Sequence, residues 1–228
     1  MFETRAPLAE RMRPSKLEDL IGQEHLVGEN GIIRRAIQTG NVPSMILWGP
    51  PGVGKTTIAN IIANEVKRPF HMISAVSAGV KDVRDVIEQA RRTSRMILFI
   101  DEIHRFNKSQ QDALLGAVEK GTITLIGATT ENPSFEVNSA LLSRCQVYTL
   151  KALNENDLIK LVQQALTKDA ELKSRKINIK EFQALINISG GDARKLLNLV
   201  DLICEAIPGD IDVNDQLVMQ VAQKHIAI

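Results

Sequence analysis

Residues 49–57 read Gly-Pro-Pro-Gly-Val-Gly-Lys-Thr-Thr, which fits the pattern G-x-x-x-x-G-K-[ST]. Such a loop works only between a buried strand and the start of a helix, so it restricts the fold of the surrounding chain. Gly49, Gly52 and Gly54 let the backbone turn tightly, and Pro50, Pro51 and Val53 complete the loop. Consecutive N–H groups can then converge on an anion. Lys55 can reach the β- and γ-phosphates of a nucleotide as a mobile point charge. Thr56, followed by Thr57, places a hydroxyl where Mg²⁺, which prefers oxygen ligands, would be held. The flanks agree. Met45-Ile46-Leu47-Trp48 is a short apolar strand, and Ile58, Ala59, Ile61, Ile62 and Ala63 continue at helical spacing. The helix N-terminus therefore faces the phosphates.

A second segment strengthens this reading. Met96-Ile97-Leu98-Phe99-Ile100 is a continuous apolar run, as expected of a strand buried on both faces of a parallel sheet, and it ends in Asp101-Glu102. Parallel strands present their C-terminal ends on the ligand side. Asp101 is then a ligand in the Mg²⁺ shell, and Glu102 can polarise a water for attack on the γ-phosphate. The same pair could instead cap the next helix.

Along the chain, strands are predicted at 45–48, 70–73, 96–100, 123–128 and 147–150, with helices over 31–40, from the loop to about residue 66, 82–92 and 109–120. This alternation predicts βαβ units and a parallel sheet. After residue 150 strands are no longer expected. Helices are predicted from Asn154, from Asn178 to Gly190-Gly191, from Asp192 to Ala206 and from Asp212 to His225. The chain thus reads as an α/β nucleotide-binding domain over residues 1–150 and a small helical domain over 151–228. The stretch from Lys168 to Lys176 reads as a solvated loop. A net charge of +1 excludes a globally basic nucleic-acid binder, so any such site must be local. Cys145 and Cys204 form no C-x-x-C pair, and His25, His71, His104 and His225 lack metal-site spacing. With no leader and no membrane-length apolar stretch in this sequence, a reducing cytoplasmic compartment is expected.

Three further elements suggest what nucleotide binding is coupled to. The fourth strand ends in Thr129-Thr130-Glu131-Asn132, where a hydroxyl can contact the γ-phosphate or the attacking water, or simply line a polar strand exit. Arg144, in Leu142-Ser143-Arg144-Cys145, is either an exposed surface charge or a cation that reaches a neighbouring subunit's nucleotide. Arg194 follows Gly190-Gly191-Asp192-Ala193 in the first turn of a helix, where the dipole disfavours a cation. That placement suggests a phosphate partner, with a simple pairing to Asp192 as the alternative.

Together these residues resemble an AAA+ ATPase of the clamp-loader type. In that likeness 49–56 is Walker A, 97–102 is Walker B, and Thr129 or Thr130 is sensor 1. Ser143-Arg144-Cys145 resembles the arginine-finger motif, and Gly191-Asp192-Ala193-Arg194 resembles sensor 2 on the lid. Arg13-Pro14 with Leu20-Ile21-Gly22-Gln23 resembles the segment that packs around adenine. The strings Ser74-Ala-Val-Ser-Ala-Gly-Val-Lys-Asp, Asp101-Glu-Ile-His-Arg-Phe-Asn-Lys and Gly127-Ala-Thr-Thr-Glu-Asn-Pro-Ser-Phe-Glu-Val-Asn are similar to the family of replication-associated recombination protein A.

The resemblance implies ATP and ADP as ligands with Mg²⁺, and hydrolysis at stalled or damaged replication forks. It implies forked or junction DNA as partner, with replication proteins such as single-stranded DNA-binding protein, in a nucleoid-associated setting. Family members continue into a helical domain that assembles a tetramer, so a chain ending at Ile228 is expected as a monomer. Lys81, Arg84, Arg91, Arg92, Arg105 and Lys108 either form a phosphate-facing patch or are ordinary solvated charges. A clamp-loader subunit or branch-migration motor shares these motifs. A nucleotide-gated interaction module is the rival outside catalysis, and Glu102 and Arg144 count against it.

Overall fold

The computed structural model describes residues 5–93 and 95–226. They fall into two compact units, one of residues 14–151 and one combining 5–13 with 152–226. In chain order the first elements are α1 (Leu8–Arg11), α2 (Glu24–Val27), α3 (Ile32–Thr39), β1 (Met45–Trp48), α4 (Lys55–Glu65), β2 (Phe70–Ser74), α5 (Val80–Arg92) and β3 (Met96–Asp101). They continue through α6 (Lys108–Glu119), β4 (Ile123–Thr129), α7 (Pro133–Glu136), α8 (Ser139–Leu142) and β5 (Gln146–Thr149).

The five strands form one parallel sheet in the order β2-β3-β4-β1-β5. Its central strands are buried on both faces, and period-two alternation divides their side chains. Met96, Leu98 and Ile100 of β3 pack with α5 and α6. Ile97 and Phe99 of the same strand pack with Ile58, Ile61 and Ile62 of α4 on the other face. The edge strands are less covered, leaving Met72 of β2 and Val147 of β5 exposed.

The order has a direct consequence. β4 lies between β1, which feeds the phosphate loop, and β3, which ends in Asp101. Register pairs Trp48 with Thr129 and Ile100 with Gly127, so the three strand ends lie side by side. Gly127 permits close packing beneath them. A Cβ there would lie 2.7 Å from Ile46 Cδ1 and 2.9 Å from Ile103 Cδ1. Glycine thus lets the 3-10 turn Ile103–Arg105 press against β4.

In the second unit the elements are α9 (Glu155–Lys168), β6 (Ile177–Ile179), α10 (Gln183–Ser189), α11 (Ala193–Ala206), β7 (Ile211–Val213) and α12 (Asp215–Ile226). Asn154 and Asp157 close a capping box on α9, and Gly190 ends α10 in the left-handed region. The expectation of helices alone is corrected here. Ile177-Asn178-Ile179 and Ile211-Asp212-Val213 alternate apolar and polar residues and pair as a two-stranded parallel sheet. Asn178 donates to Asp212 across the pair at 3.0 Å, so it does not cap a helix. Instead the Asp215 amide donates to Glu181, and Asp215 accepts from the Ala184 amide, so the starts of α10 and α12 cap each other.

The stretch from Lys168 to Lys176 also differs from a simple solvated loop. Arg175 donates to the carbonyl of Cys204 in the last turn of α11 and to those of Ile207 and Gly209 just past its end. Asp169 accepts two bonds from Arg11, at 2.8 and 3.2 Å. Arg11 also reaches Asp201, which accepts from the Leu8 amide and from Arg5. Leu8 is wholly buried in this unit's core. Bidentate charge-assisted bonds of this kind fix the strap of residues 5–13 in one orientation.

Candidate nucleotide site

The phosphate loop is built as its sequence requires. A Cβ on Gly49 would lie 2.6 Å from the Leu150 carbonyl oxygen, so only glycine lets the loop leave β1 there. Gly52 and Gly54 have φ of 71° and 103°, in the left-handed region that L side chains avoid. Gly54 precedes Lys55, the first residue of α4, so the N–H groups of the first turn open toward the loop. Lys55 is buried at 8% exposure, and its Nζ donates to the Gly49 and Pro50 carbonyls, both at 2.7 Å. Its charge is thereby held over the loop. Thr56 and Thr57 are half-buried in the first turn, Val53 is buried, and Pro50 and Pro51 are exposed. The Gly49 amide donates to the Thr129 carbonyl at 3.1 Å, which ties the loop to β4.

Part of the segment from Arg13 to Gln23 borders this loop. Leu20 Cδ1 lies 3.7 Å from the position a Gly54 Cβ would take. Ile21 and Pro14 are half-buried. Arg13 belongs to the other unit and pairs with Glu10 at 2.6 Å. Gln23 carries a contact that pattern reading missed. It is buried in the left-handed region, donates to the Val53 and Lys151 carbonyls, and accepts from the Lys151 amide. The only sequence signal for it is the Gly22-Gln23 turn.

At the end of β3, Asp101 is half-buried and its carbonyl accepts from the Ala75 amide at 3.0 Å. Glu102 follows with φ 56° and ψ 43°. A non-glycine residue in this region bears strain of about 1–2 kcal/mol. Its carboxylate lies 3.3 Å from His104 Nε2 and 4.0 Å from Arg105 Nε. His104 Nδ1 lies 2.9 Å from the Thr129 hydroxyl. The two threonines are thereby separated. Thr129 is wholly buried, with its hydroxyl also bonded to the Glu131 amide and carbonyl. Thr130 is half-buried, and its hydroxyl has no hydrogen-bond partner among the described residues.

Arg144 lies just past α8, where its guanidinium pairs with Glu119 at 2.5 Å and donates to the Ala140 carbonyl and Ser143 hydroxyl. In the other unit Asp192 caps α11 through the amides of Arg194 and Lys195. That carboxylate is therefore spent on the backbone, and the exposed Arg194 guanidinium makes no ion pair among the described residues. The basic residues Lys81, Arg84, Arg91, Arg92, Arg105 and Lys108 are all exposed, but Arg91 pairs with Glu88 at 2.6 Å, and Asp82 and Asp85 lie among them.

The Thr56 hydroxyl and Asp101 carboxylate are hard oxygen donors. Among the described residues no group of three or more His, Cys, Asp or Glu side chains forms a metal cage. A site with one or two protein ligands suits Mg²⁺, which takes the rest of its shell from phosphates and water. No helix among the described residues is long and apolar enough to cross a membrane.

Residues 45–153 match the family described as "ATPase family associated with various cellular activities (AAA)". The chain is 54% identical over 204 residues to replication-associated recombination protein A of Coxiella burnetii, a match covering 87% of this chain and 46% of that protein. Against the protein of the same description from Escherichia coli K12 it is 50% identical over 210 residues, with the same coverage of 87% and 46%. The chain spans about half the length of the curated relatives it matches. Among solved structures, the Thermotoga maritima RuvB Holliday junction branch migration motor matches with a TM-score of 0.74 at 28% identity, over 93% of this chain and 72% of that one.

Proposed function

We propose, from the premise that the chain carries an AAA ATPase core resembling that of replication-associated recombination protein A, that it binds and hydrolyses ATP at forked or junction DNA. The observation that carries this reading is the strand order, which gathers the phosphate loop, the acidic pair and the paired threonines at one end of the sheet.

In this reading, the loop amides and Lys55 bind the β- and γ-phosphates, and Leu20, Ile21 and the Arg13-Pro14 segment line the adenine. Thr56 and Asp101 hold Mg²⁺, whose charge offsets that of the phosphates when bound. Glu102 orients a water and draws its proton as the water oxygen bonds to the γ-phosphorus. The bond from that phosphorus to the β–γ bridging oxygen breaks, leaving ADP and phosphate. Of the two sensor 1 candidates, the reading selects Thr130, because the Thr129 hydroxyl is buried and already engaged. Arg194 is the sensor 2 candidate for the γ-phosphate. Arg144 acts on a neighbouring subunit's nucleotide, and must leave Glu119 to do so.

DNA as partner is supported by the descriptions of the relatives, and the exposed face of α5 is the candidate surface. Single-stranded DNA-binding protein as a further partner, a tetramer in longer relatives and a nucleoid-associated, cytoplasmic setting belong to the same reading. The test is ATP hydrolysis by this chain across a concentration range, with and without forked DNA, beside Arg144→Ala. Turnover per chain that rises with concentration and is lost in Arg144→Ala supports action in trans. An equal deficit in a strictly monomeric sample overturns that assignment. Nucleotide binding with no turnover under any condition would leave a nucleotide-gated module in place of an enzyme.

A further inference from the structure

We propose that His104 is a positioning residue that makes the orientation of Glu102 depend on the turn carrying Thr130; this rests on the hydrolytic reading above. The imidazole bridges two elements, with Nε2 3.3 Å from Glu102 Oε2 and Nδ1 2.9 Å from the Thr129 hydroxyl. An ionised carboxylate only accepts, so a favourable contact requires the proton on Nε2. In a neutral ring Nδ1 then accepts, and takes the Thr129 O–H. The Thr129 oxygen remains free to accept from the Glu131 amide at 3.0 Å. The hydrogen bonds run in one consistent direction from the Glu131 amide through Thr129 to His104, whose Nε2 then faces the Glu102 carboxylate at 3.3 Å.

Three features of the fold hold this bridge in place. Gly127 lets Ile103 seat against β4, and this brings the next residue, His104, under Thr129. Glu102 is kept in the left-handed region, a strained conformation that persists only where surrounding contacts over-determine it. Thr129 is wholly buried, so its hydroxyl has no water to turn to and stays committed to His104 and Glu131. The bond from the Glu131 amide to the Thr129 hydroxyl oxygen ties together the residues on either side of Thr130. A shift of Thr130 on meeting a γ-phosphate therefore pulls on Thr129, and through His104 on the glutamate that holds the water. Arg105, 4.0 Å from the same carboxylate but exposed, is a weaker and solvent-screened second contact.

The experiment is a double-mutant cycle on the full chain. It compares His104→Ala, Thr129→Val and the double variant, with Glu102→Gln as reference. Readouts are kcat and KM for ATP, the affinity for a fluorescent ATP analogue, and unfolding followed by Trp48, the single tryptophan. Each single variant is expected to lower kcat by about ten- to a hundredfold, the range for removing a group that orients a catalytic one, with KM and affinity little changed. The double variant should be no slower than the worse single one, because both cut the same bridge.

His104→Asn and His104→Gln separate position from packing. The Asn amide reaches the Nδ1 position, facing Thr129, and the Gln amide reaches the Nε2 position, facing Glu102. Asn should keep the stability but not the rate, while Gln recovers part of the rate. Unchanged kcat in His104→Ala, or losses that multiply in the double variant, overturns the proposal. Wild-type turnover in Glu102→Gln, or no turnover by the unaltered chain, overturns instead the reading on which it rests.

Discussion

Replacing Gly127 by alanine tests whether the seat of the 3-10 turn matters as the geometry says. The added Cβ would stand 2.7 Å from Ile46 Cδ1, 2.9 Å from Ile103 Cδ1 and 3.3 Å from Ile103 Cγ2. All are well inside the contact distance of about 3.5–4.0 Å between carbons. Ile46 and Ile103 are both wholly buried, so neither side chain can swing into solvent and the short turn carrying Ile103 must yield. Overpacking of this kind destabilises by about 1–3 kcal/mol. Alanine recovers about 0.5–1 kcal/mol because glycine is the more flexible residue in the unfolded chain. The midpoints of these ranges leave a net loss of about 1 kcal/mol, which at a urea slope of about 2 kcal/mol/M lowers the midpoint by about 0.5 M.

Trp48 emission reads this unfolding in the unit that contains the loop. Displacing the turn also displaces His104 and the chain following Glu102, so turnover should fall by about tenfold or more at temperatures where the variant is fully folded. ATP affinity should change little, because α4 and most of the loop's packing lie on the other face of the sheet. Gly116→Ala is the control. A Cβ there meets nothing within 4 Å, and helix propensity predicts a gain of about 0.5–1 kcal/mol with no change in rate. A Gly127→Ala chain with the original midpoint and rate, or one that loses affinity as much as rate, would refute the reasoning.

Other substitutions probe separate parts of the molecule. Gly49→Ala drives a Cβ into the Leu150 carbonyl, a backbone atom that no rotamer change can move, and binding of a fluorescent ATP analogue should be lost while most of the sheet survives. In the second unit, the bond from Arg11 holds the Asp169 carboxyl below its ordinary value. A depressed acid adds stability that is present above the unfolded value of about 3.9 and disappears as pH falls through the folded value. Circular dichroism should therefore show an acid transition below about pH 4 that Arg11→Met removes, along with about 3 kcal/mol of stability at neutral pH from breaking the pair. Burial raises both Cys145 and Cys204 to about 11, so neither should be alkylated by iodoacetamide at pH 8 until urea unfolds the chain. Rapid labelling of the folded protein would contradict that burial.

The legible parts of this chain were those with a strong period or a strict steric demand. Met96–Asp101 reads as a buried strand because both of its faces are apolar, and the loop announces itself through glycines that only one backbone path requires. The paired segments β6 and β7 escaped because three-residue strands carry too few side chains to show alternation, and Asn178 looks equally like a cap. Nothing in the sequence singles out Arg11, because its partners Asp169 and Asp201 lie more than 150 residues away along the chain. Thr129 and Thr130 are chemically identical in sequence, and only burial assigns one to the interior and leaves the other at the strand end. His104 lies within a string that the family resemblance already marks, but its contact with Thr129 comes from another strand and is not visible in that string.

Glu102 is the residue on which hydrolysis most directly depends in the proposed reaction. Steady-state ATP hydrolysis and binding of a fluorescent ATP analogue, measured side by side for the unaltered chain and Glu102→Gln, separate the loop from the chemistry. Glu102→Gln is expected to bind the analogue equally well and to turn over about a hundredfold or more slowly, as for the loss of a group that orients and deprotonates water. Equal turnover in the two proteins, or no nucleotide binding by either, would contradict it.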